Sequence, residues 1–458
     1  MASSPRCARS SPRERGAARV SPLGRARSLA YASGSLAVDV VGPILAWIPY
    51  LYAPPADLPG AAALLPAASV GVLLFVGRFV DGFAEPIVGW ASDRADTRWG
   101  RRLPFVLFGT PVLVASFLGL FFPPFGPGQS LATGVWLAVV NTIFWCAFTA
   151  VVAPYLALLP EIATTSEERT RVSTWMTAFS IVAIVGGNLV LGAVVAEFQG
   201  GRAWLGVHFD NGFEPQALGI AALAFFFFYL SVAFVRERPR ADGDPPHLSL
   251  RAAVRESLRN PAFLPLVIPL SVFLIGVNVV VTAVPYLGRA VLHASEAEAG
   301  YGAAAVYVSA GLSLPLVGRA TAHWGKKATY AGALLGISAL FAAIPLVAVS
   351  PHPTATYLAL MIALGLPVGA LLVLGKVLIA DVIDADYERT GLRREAMYFG
   401  MQGLMTKVSF GVGPLVATQL FDRFGNTAEH PLGILLCGPV AAALGVLGWL
   451  AFRRYPLP

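Results

Sequence analysis

The stretch Arg78-Phe79-Val80-Asp81-Gly82-Phe83-Ala84-Glu85-Pro86, continuing through Gly89-Trp90-Ala91-Ser92-Asp93-Arg94 to Trp99-Gly100-Arg101-Arg102, decides how this chain is built. It sets two carboxylates inside an apolar segment and a basic turn at that segment's end. An acid within a membrane span costs about 2.5–3.5 kcal/mol on insertion scales, so it is retained only with a partner or a task. Asp81 and Glu85 are four apart, and a helix stacks them on one face. Two like charges that close require a cation or a shared proton. That requirement is the physics of a coupling-ion site.

The composition agrees with a membrane setting. Apolar residues make up 56% of the 458 residues and charged residues 13%, with a mean hydropathy of +0.67, far from the soluble average. Apolar runs long enough to cross a bilayer, about 20 residues each, fall at 29–52, 66–92, 103–123, 130–159, 171–197 and 216–235. A second series falls at 262–288, 300–320, 328–349, 355–380, 397–421 and 431–452. The expected fold is therefore all-α and integral to the membrane, with twelve spans. Cys7, Cys146 and Cys437 show neither metal nor disulfide spacing. Residues 1–28 carry seven arginines and no apolar core. They read as a disordered basic cytoplasmic tail, or as the product of a start codon placed too far upstream.

Charge sets the orientation. Of the 33 Lys and Arg, only Arg202, Arg289 and Arg423 fall in loops on one side, while Arg78, Lys376 and Lys407 fall in spans. The rest cluster in the tail, the alternate loops and the C-terminal end. The positive-inside rule then predicts both termini in the cytoplasm, in a multi-pass protein of the cell membrane. The basic pI near 9.4 reflects this topology and contact with anionic lipids rather than a nucleic-acid partner.

An internal repeat divides the chain. Trp99-Gly100-Arg101-Arg102 closes the second span and Trp324-Gly325-Lys326-Lys327 closes the eighth, 225 positions later. Residues 236–261 form a polar, Arg-rich linker with Pro239, Pro245 and Pro246. The division is thus a six-helix half over 29–235, a cytoplasmic linker over 236–261 and a second half over 262–454. That is the layout of the major facilitator fold, with a site between the halves near the bilayer midplane.

Two motifs carry a resemblance to a known family. One is the acidic second span; the other is Ala380-Asp381-Val382-Ile383-Asp384-Ala385-Asp386-Tyr387-Glu388-Arg389-Thr390-Gly391-Leu392-Arg393-Arg394-Glu395, leading to Lys407. A weaker third is Pro154-Tyr155-Leu156-Ala157-Leu158 with Pro160-Glu161 and Glu168-Arg169-Thr170-Arg171. The chain resembles the glycoside–pentoside–hexuronide:cation symporter family from Tyr31 to Lys407. The resemblance implies a cation site at Asp81 and Glu85 with the Thr149 hydroxyl, serving Na⁺ or H⁺. Oxygen ligands suit the hard Na⁺ ion, and a crowded carboxylate suits a proton. On the substrate side the resemblance implies Asp39 in the first span and Lys407 between substrate and cation. Trp145 is read from its type as a ring to stack on a sugar, and Tyr155 as a further substrate contact. Val152 stands where a sugar-transporting member has an acid, Leu156 where it has a tryptophan, and the expected arginine near Trp175 is absent. Much of the galactoside grip is therefore missing.

Arg78, Asp93, Arg94, Arg101, Arg102, Asp381, Asp384, Glu388 and Arg394 are expected to act in gating, the Asp381–Glu395 cluster forming with Arg393 and Arg394 a network that locks the inward-closed state. Lys376 reads as snorkelling to the cytoplasmic surface, and Asn141, Asn188 and Asn278 as hydrogen-bonding between helices. No His falls clearly mid-span, and no Gly-x-Ser-x-Gly, His-Glu-x-x-His or ATP-binding loop occurs, so no enzymatic activity is expected. The expected function is symport of a sugar or glycoside with the cation by alternating access. The rival solute is a lysolipid or other amphipath. No cofactor beyond the coupling ion is expected, and the protein is read as a monomer among membrane lipids.

Overall fold

A computed structural model describes residues 24–58, 62–95, 97–128, 130–163, 165–198, 201–204, 206–235, 260–390 and 395–457. Among these, ten helical stretches are long and apolar enough to cross a membrane. Lys326–Ala342, continued by Leu346–Val349, and Glu395–Phe424 complete the series as the ninth and eleventh spans. Residues 1–23, most of the linker and Arg393–Arg394 lie outside the described residues, and with them the reading of the tail and linker. Arg25–Ser28, read as part of the tail, belong instead to the first helix, Arg25–Ala32.

The first span is broken into Arg25–Ala32, Gly34–Asp39, Val41–Leu45 and Ile48–Tyr52. Pro43 and Pro49 explain the two later interruptions, because each lacks the amide that would bond four residues back. Pro43 withholds that bond from the carbonyl of Asp39. Gly34 has a packing role: a Cβ there would lie 2.7 Å from the Tyr155 ring. Tyr155 Oη donates to the Tyr31 carbonyl at 2.8 Å, and Tyr31 Oη donates to the Tyr155 carbonyl at 2.5 Å. Spans one and four are thereby clamped together.

The second to sixth spans are Ala67–Arg94, Leu103–Phe121, Ser130–Ile162, Ser166–Glu197 and Phe213–Ala233. The fifth begins five residues earlier than its apolar run, because Thr165 and Glu168 form a capping box that starts the helix in polar sequence. A short antiparallel hairpin, Arg202–Trp204 with Val207–Phe209, follows it. The seventh, eighth, tenth and twelfth spans are Leu264–Ala290, Glu296–Trp324, Pro353–Thr390 and Leu432–Phe452. The tenth runs ten residues past the expected 380, through the acidic motif.

The repeat has a backbone cause. Gly100 and Gly325, 225 positions apart, take φ of 108° and 82°, a region open to glycine and strained for other residues. Each glycine lets a helix end and the next begin with two basic residues at the turn. Arg101 and Arg102 pair with Glu161 at 2.5 and 2.6 Å. Lys326 pairs with Asp381 at 2.6 Å. Each bridge ties the turn after one span to the end of another within the same half. Both lie at the end of the bundle bearing the chain's ends: Lys327 Nζ donates to the Tyr455 carbonyl at 2.6 Å, and Tyr31 lies within electrostatic reach of Arg102 and Glu161.

The two halves meet along spans two with eleven and five with eight. At the end away from the termini, Tyr286 Oη donates to the Ala53 carbonyl at 2.9 Å and the Ala428 amide to Asp57 at 3.0 Å. Tyr50 packs edge-on against Tyr286, and Tyr286 lies tilted against Phe421, with centroids 5.1 and 4.5 Å apart. A Cβ on Gly300 would meet the Asn188 carbonyl oxygen at 2.7 Å, so spans five and eight touch backbone to backbone, as small residues permit.

Candidate functional site

Midway along the second span, Arg78, Asp81 and Glu85 occupy one face, three and four residues apart. Asp81 is fully buried. Its Oδ1 accepts from the Thr149 hydroxyl of span four at 2.5 Å and from Lys407 Nζ of span eleven at 3.2 Å. Lys407 also donates to Thr149 Oγ1 at 2.9 Å and pairs with Glu85 Oε2 at 3.2 Å. One ammonium thus sits among three oxygens drawn from spans two and four. Asp81, Glu85, Thr149 and Lys407 are brought together as a single constellation. The cation that two adjacent acids demand is here the chain's own.

Asp81 Oδ2 faces Arg78 at 3.6 Å and has no hydrogen bond among the described residues. The Arg78 guanidinium lies 3.1 Å from the centroid of Trp145. Such a stack is worth about 2 kcal/mol when desolvated. Arg78 is a mid-span partner of Asp81, sixteen residues before the end of its helix. One face of Trp145 is covered by Arg78, so that face is closed to a sugar ring.

Asp39 lies away from this cluster. Ser180 of span five and Lys376 of span ten are within its electrostatic reach. Tyr307 of span eight is also in reach, so the surroundings of Asp39 draw on both halves. Lys376 is exposed on span ten. Tyr155 is completely buried between helices and reaches Asp39 only electrostatically. Its hydrogen bonds position the first span.

Among the described residues the acidic motif forms two ion pairs. Asp381 pairs with Lys326, and Asp386 with Arg389 at 2.8 Å. Asp384 and Glu388 are exposed and form no ion pair within the described residues. Asp381, Asp384 and Glu388, at i, i+3 and i+7, share one face of the helix, and Asp386 lies off it. Arg394 and the side chains of Asp93 and Glu395 lie outside what is described. Arg94 is exposed at the end of span two. Asn141 donates to the carbonyls of Leu73 and Leu74 across helices, whereas Asn188 and Asn278 bond back to their own helices.

The profile of MFS/sugar transport proteins matches residues 30–457. The chain belongs to this family. Its fold is the twelve-helix major facilitator fold, also seen in a crystal structure of a D-xylose-proton symporter, with a TM-score of 0.66 over 94% of this chain and 97% of that one at 15% identity. The isoprimeverose transporter of Lactiplantibacillus pentosus is 25% identical over 80% of this chain and 74% of its own length. The sodium-dependent lysophosphatidylcholine symporter 1 of Gallus gallus is 25% identical over 84% and 79%. An uncharacterized symporter of Synechocystis is 32% identical over a shorter stretch, 35% of this chain and 29% of its own. The protein is thus a multi-pass membrane transporter, and its relatives include symporters.

Proposed function

We propose that the protein is a secondary active symporter that moves a sugar or glycoside together with Na⁺ or H⁺, without catalysing a chemical reaction. The observation that carries this reading is the Lys407 ammonium held among Asp81, Glu85 and Thr149. A coupling cation competes with that ammonium for the same oxygens, so its arrival releases Lys407 toward the solute. Cation and solute binding are coupled through this exchange. The contacts at Ala53, Asp57 and Gly300 support a state closed at the end away from the termini. The basic bias of the opposite face supports a cytoplasmic placement for both termini, in the cell membrane.

A lysolipid or similar amphipath is the second reading. Val152 and Leu156 follow Thr149 by three and seven residues, so all three share one side of span four, and Leu156 is 48% exposed. This apolar face suits an acyl chain better than hydroxyls. The deciding experiment is thermal unfolding of the purified protein with sugars, glycosides and lysolipids, each in Na⁺ and in K⁺. A ligand specific to the folded state raises the melting point by mass action. A sugar that stabilises more in Na⁺ than in K⁺ upholds the first reading, and stabilisation by lysolipid alone replaces it with the second. A response equal in both salts and at every pH removes the cation coupling.

A further inference from the structure

Span four meets span two through three successive rungs. Asn141 Nδ2 donates to the carbonyls of Leu73 and Leu74 at 3.2 and 3.3 Å. One turn on, Trp145 carries the Arg78 guanidinium, and one turn further Thr149 donates to Asp81. The three residues of span four are four apart and share one face. Every rung joins residues 67 or 68 positions apart, so the two helices run parallel in a single register. A slip of one residue would turn Thr149 by about 100° and shift it by about 1.5 Å, taking its hydroxyl off Asp81.

The rungs differ in what they can hold. Arg78 and Asp81 end in groups that can turn, and a coupling cation changes the partners of Asp81. Asn141 bonds to main chain instead. Its acceptors are the carbonyls that the helix itself assigns to the amides of Gly77 and Arg78, and those oxygens move only with the helix. Gly77 makes the approach possible, since a Cβ there would collide with Asn141 Nδ2. Asn141 is fully buried, and its Oδ1 has no hydrogen bond among the described residues. A buried acceptor without a donor is costly, and an apolar residue of the same shape would avoid that cost. What the amide contributes in return is the register that its two bonds set.

We infer that Asn141 is a positioning residue for cation binding, which fixes span four on span two and so holds the Thr149 hydroxyl against Asp81 without touching the ion. This rests on the symport reading. A double-mutant cycle separates it from a merely structural role. Na⁺ is titrated by intrinsic fluorescence against purified wild type, Asn141→Leu, Thr149→Val and the double variant, and the series is repeated with H⁺ in place of Na⁺. Gly77→Ala, which displaces the same amide from the side of span two, is the second route should Asn141→Leu fail to fold.

Asn141→Leu is expected to raise the half-saturating cation concentration about tenfold, as loss of the Thr149 hydrogen bond to a charged group does. Gly77→Ala acts in the same direction. In the Thr149→Val background neither raises it by more than about twofold, because residues that act through one contact are not additive. An unchanged midpoint in Asn141→Leu and Gly77→Ala overturns the inference and leaves the symport reading standing. A second tenfold rise in the Thr149→Val background overturns it too, since the contact that Asn141 holds is already absent there. A wild type indifferent to both Na⁺ and H⁺ removes the symport reading, and the inference with it.

Discussion

At Thr149 one hydroxyl serves two neighbours, donating to Asp81 and accepting from Lys407. Replacing it with valine keeps the shape but leaves both partners short of a contact. The expected outcome for Thr149→Val is a folded protein whose Na⁺ half-saturation rises about tenfold, the worth of a hydrogen bond to a charged group. Na⁺ titration by intrinsic fluorescence checks it, and an unchanged midpoint takes Thr149 out of the site. Asp81→Asn is expected to abolish ion dependence altogether while membrane insertion persists, because the amide carries no charge for a cation to meet. Ion-driven uptake that persists in that variant contradicts the assignment. The pairing of Asp81 with Glu85 was legible from spacing and hydrophobic surroundings alone. Arg78 on Trp145 was not, since nothing in local sequence says which of two cations, Arg78 or Lys407, turns toward which acid.

Helices were legible where apolar runs met polar turns, and misjudged where other physics set their ends. A capping box starts the fifth span before its apolar run, and the tenth continues through charged residues that solvent can accept. The two later breaks in the first span follow from prolines, whereas its clamp to the fourth depends on Gly34 and Tyr155, 121 positions apart and silent to any periodicity. Contact between spans five and eight likewise depends on a glycine. A leucine at Gly300 would place its Cβ against the Asn188 carbonyl, and backbone cannot yield as a side chain does. Gly300→Leu is expected to push the halves apart at the end away from the termini. A cysteine placed at Asp57 in a cysteine-free background reads this. Its labelling by a membrane-impermeant thiol reagent should rise several-fold in Gly300→Leu, and equal labelling would show that this contact does not hold the end closed.

Across the whole molecule, the repeat gives each half its own internal bridge, Arg101 and Arg102 with Glu161 and Lys326 with Asp381, so that each can move as a body. The connection between them at mid-depth is Lys407, an arm of the second half held by oxygens of the first. If a coupling cation and this ammonium exchange, solute and cation affinities must change by one common factor, because linkage is reciprocal for binding free energies. A factor of five to 150, or about 1–3 kcal/mol, is the ordinary range. Saturating Na⁺ should lower the solute's dissociation constant by that factor, and saturating solute should lower the Na⁺ constant equally. Lys407→Gln removes the competing ammonium, so in that variant Na⁺ binds more tightly without solute while the factor falls toward one. Calorimetric titrations of each ligand in the presence and absence of the other measure all four constants. A Lys407→Gln protein that retains the full factor places the coupling elsewhere, in the rigid-body motion of the halves rather than in the arm between them.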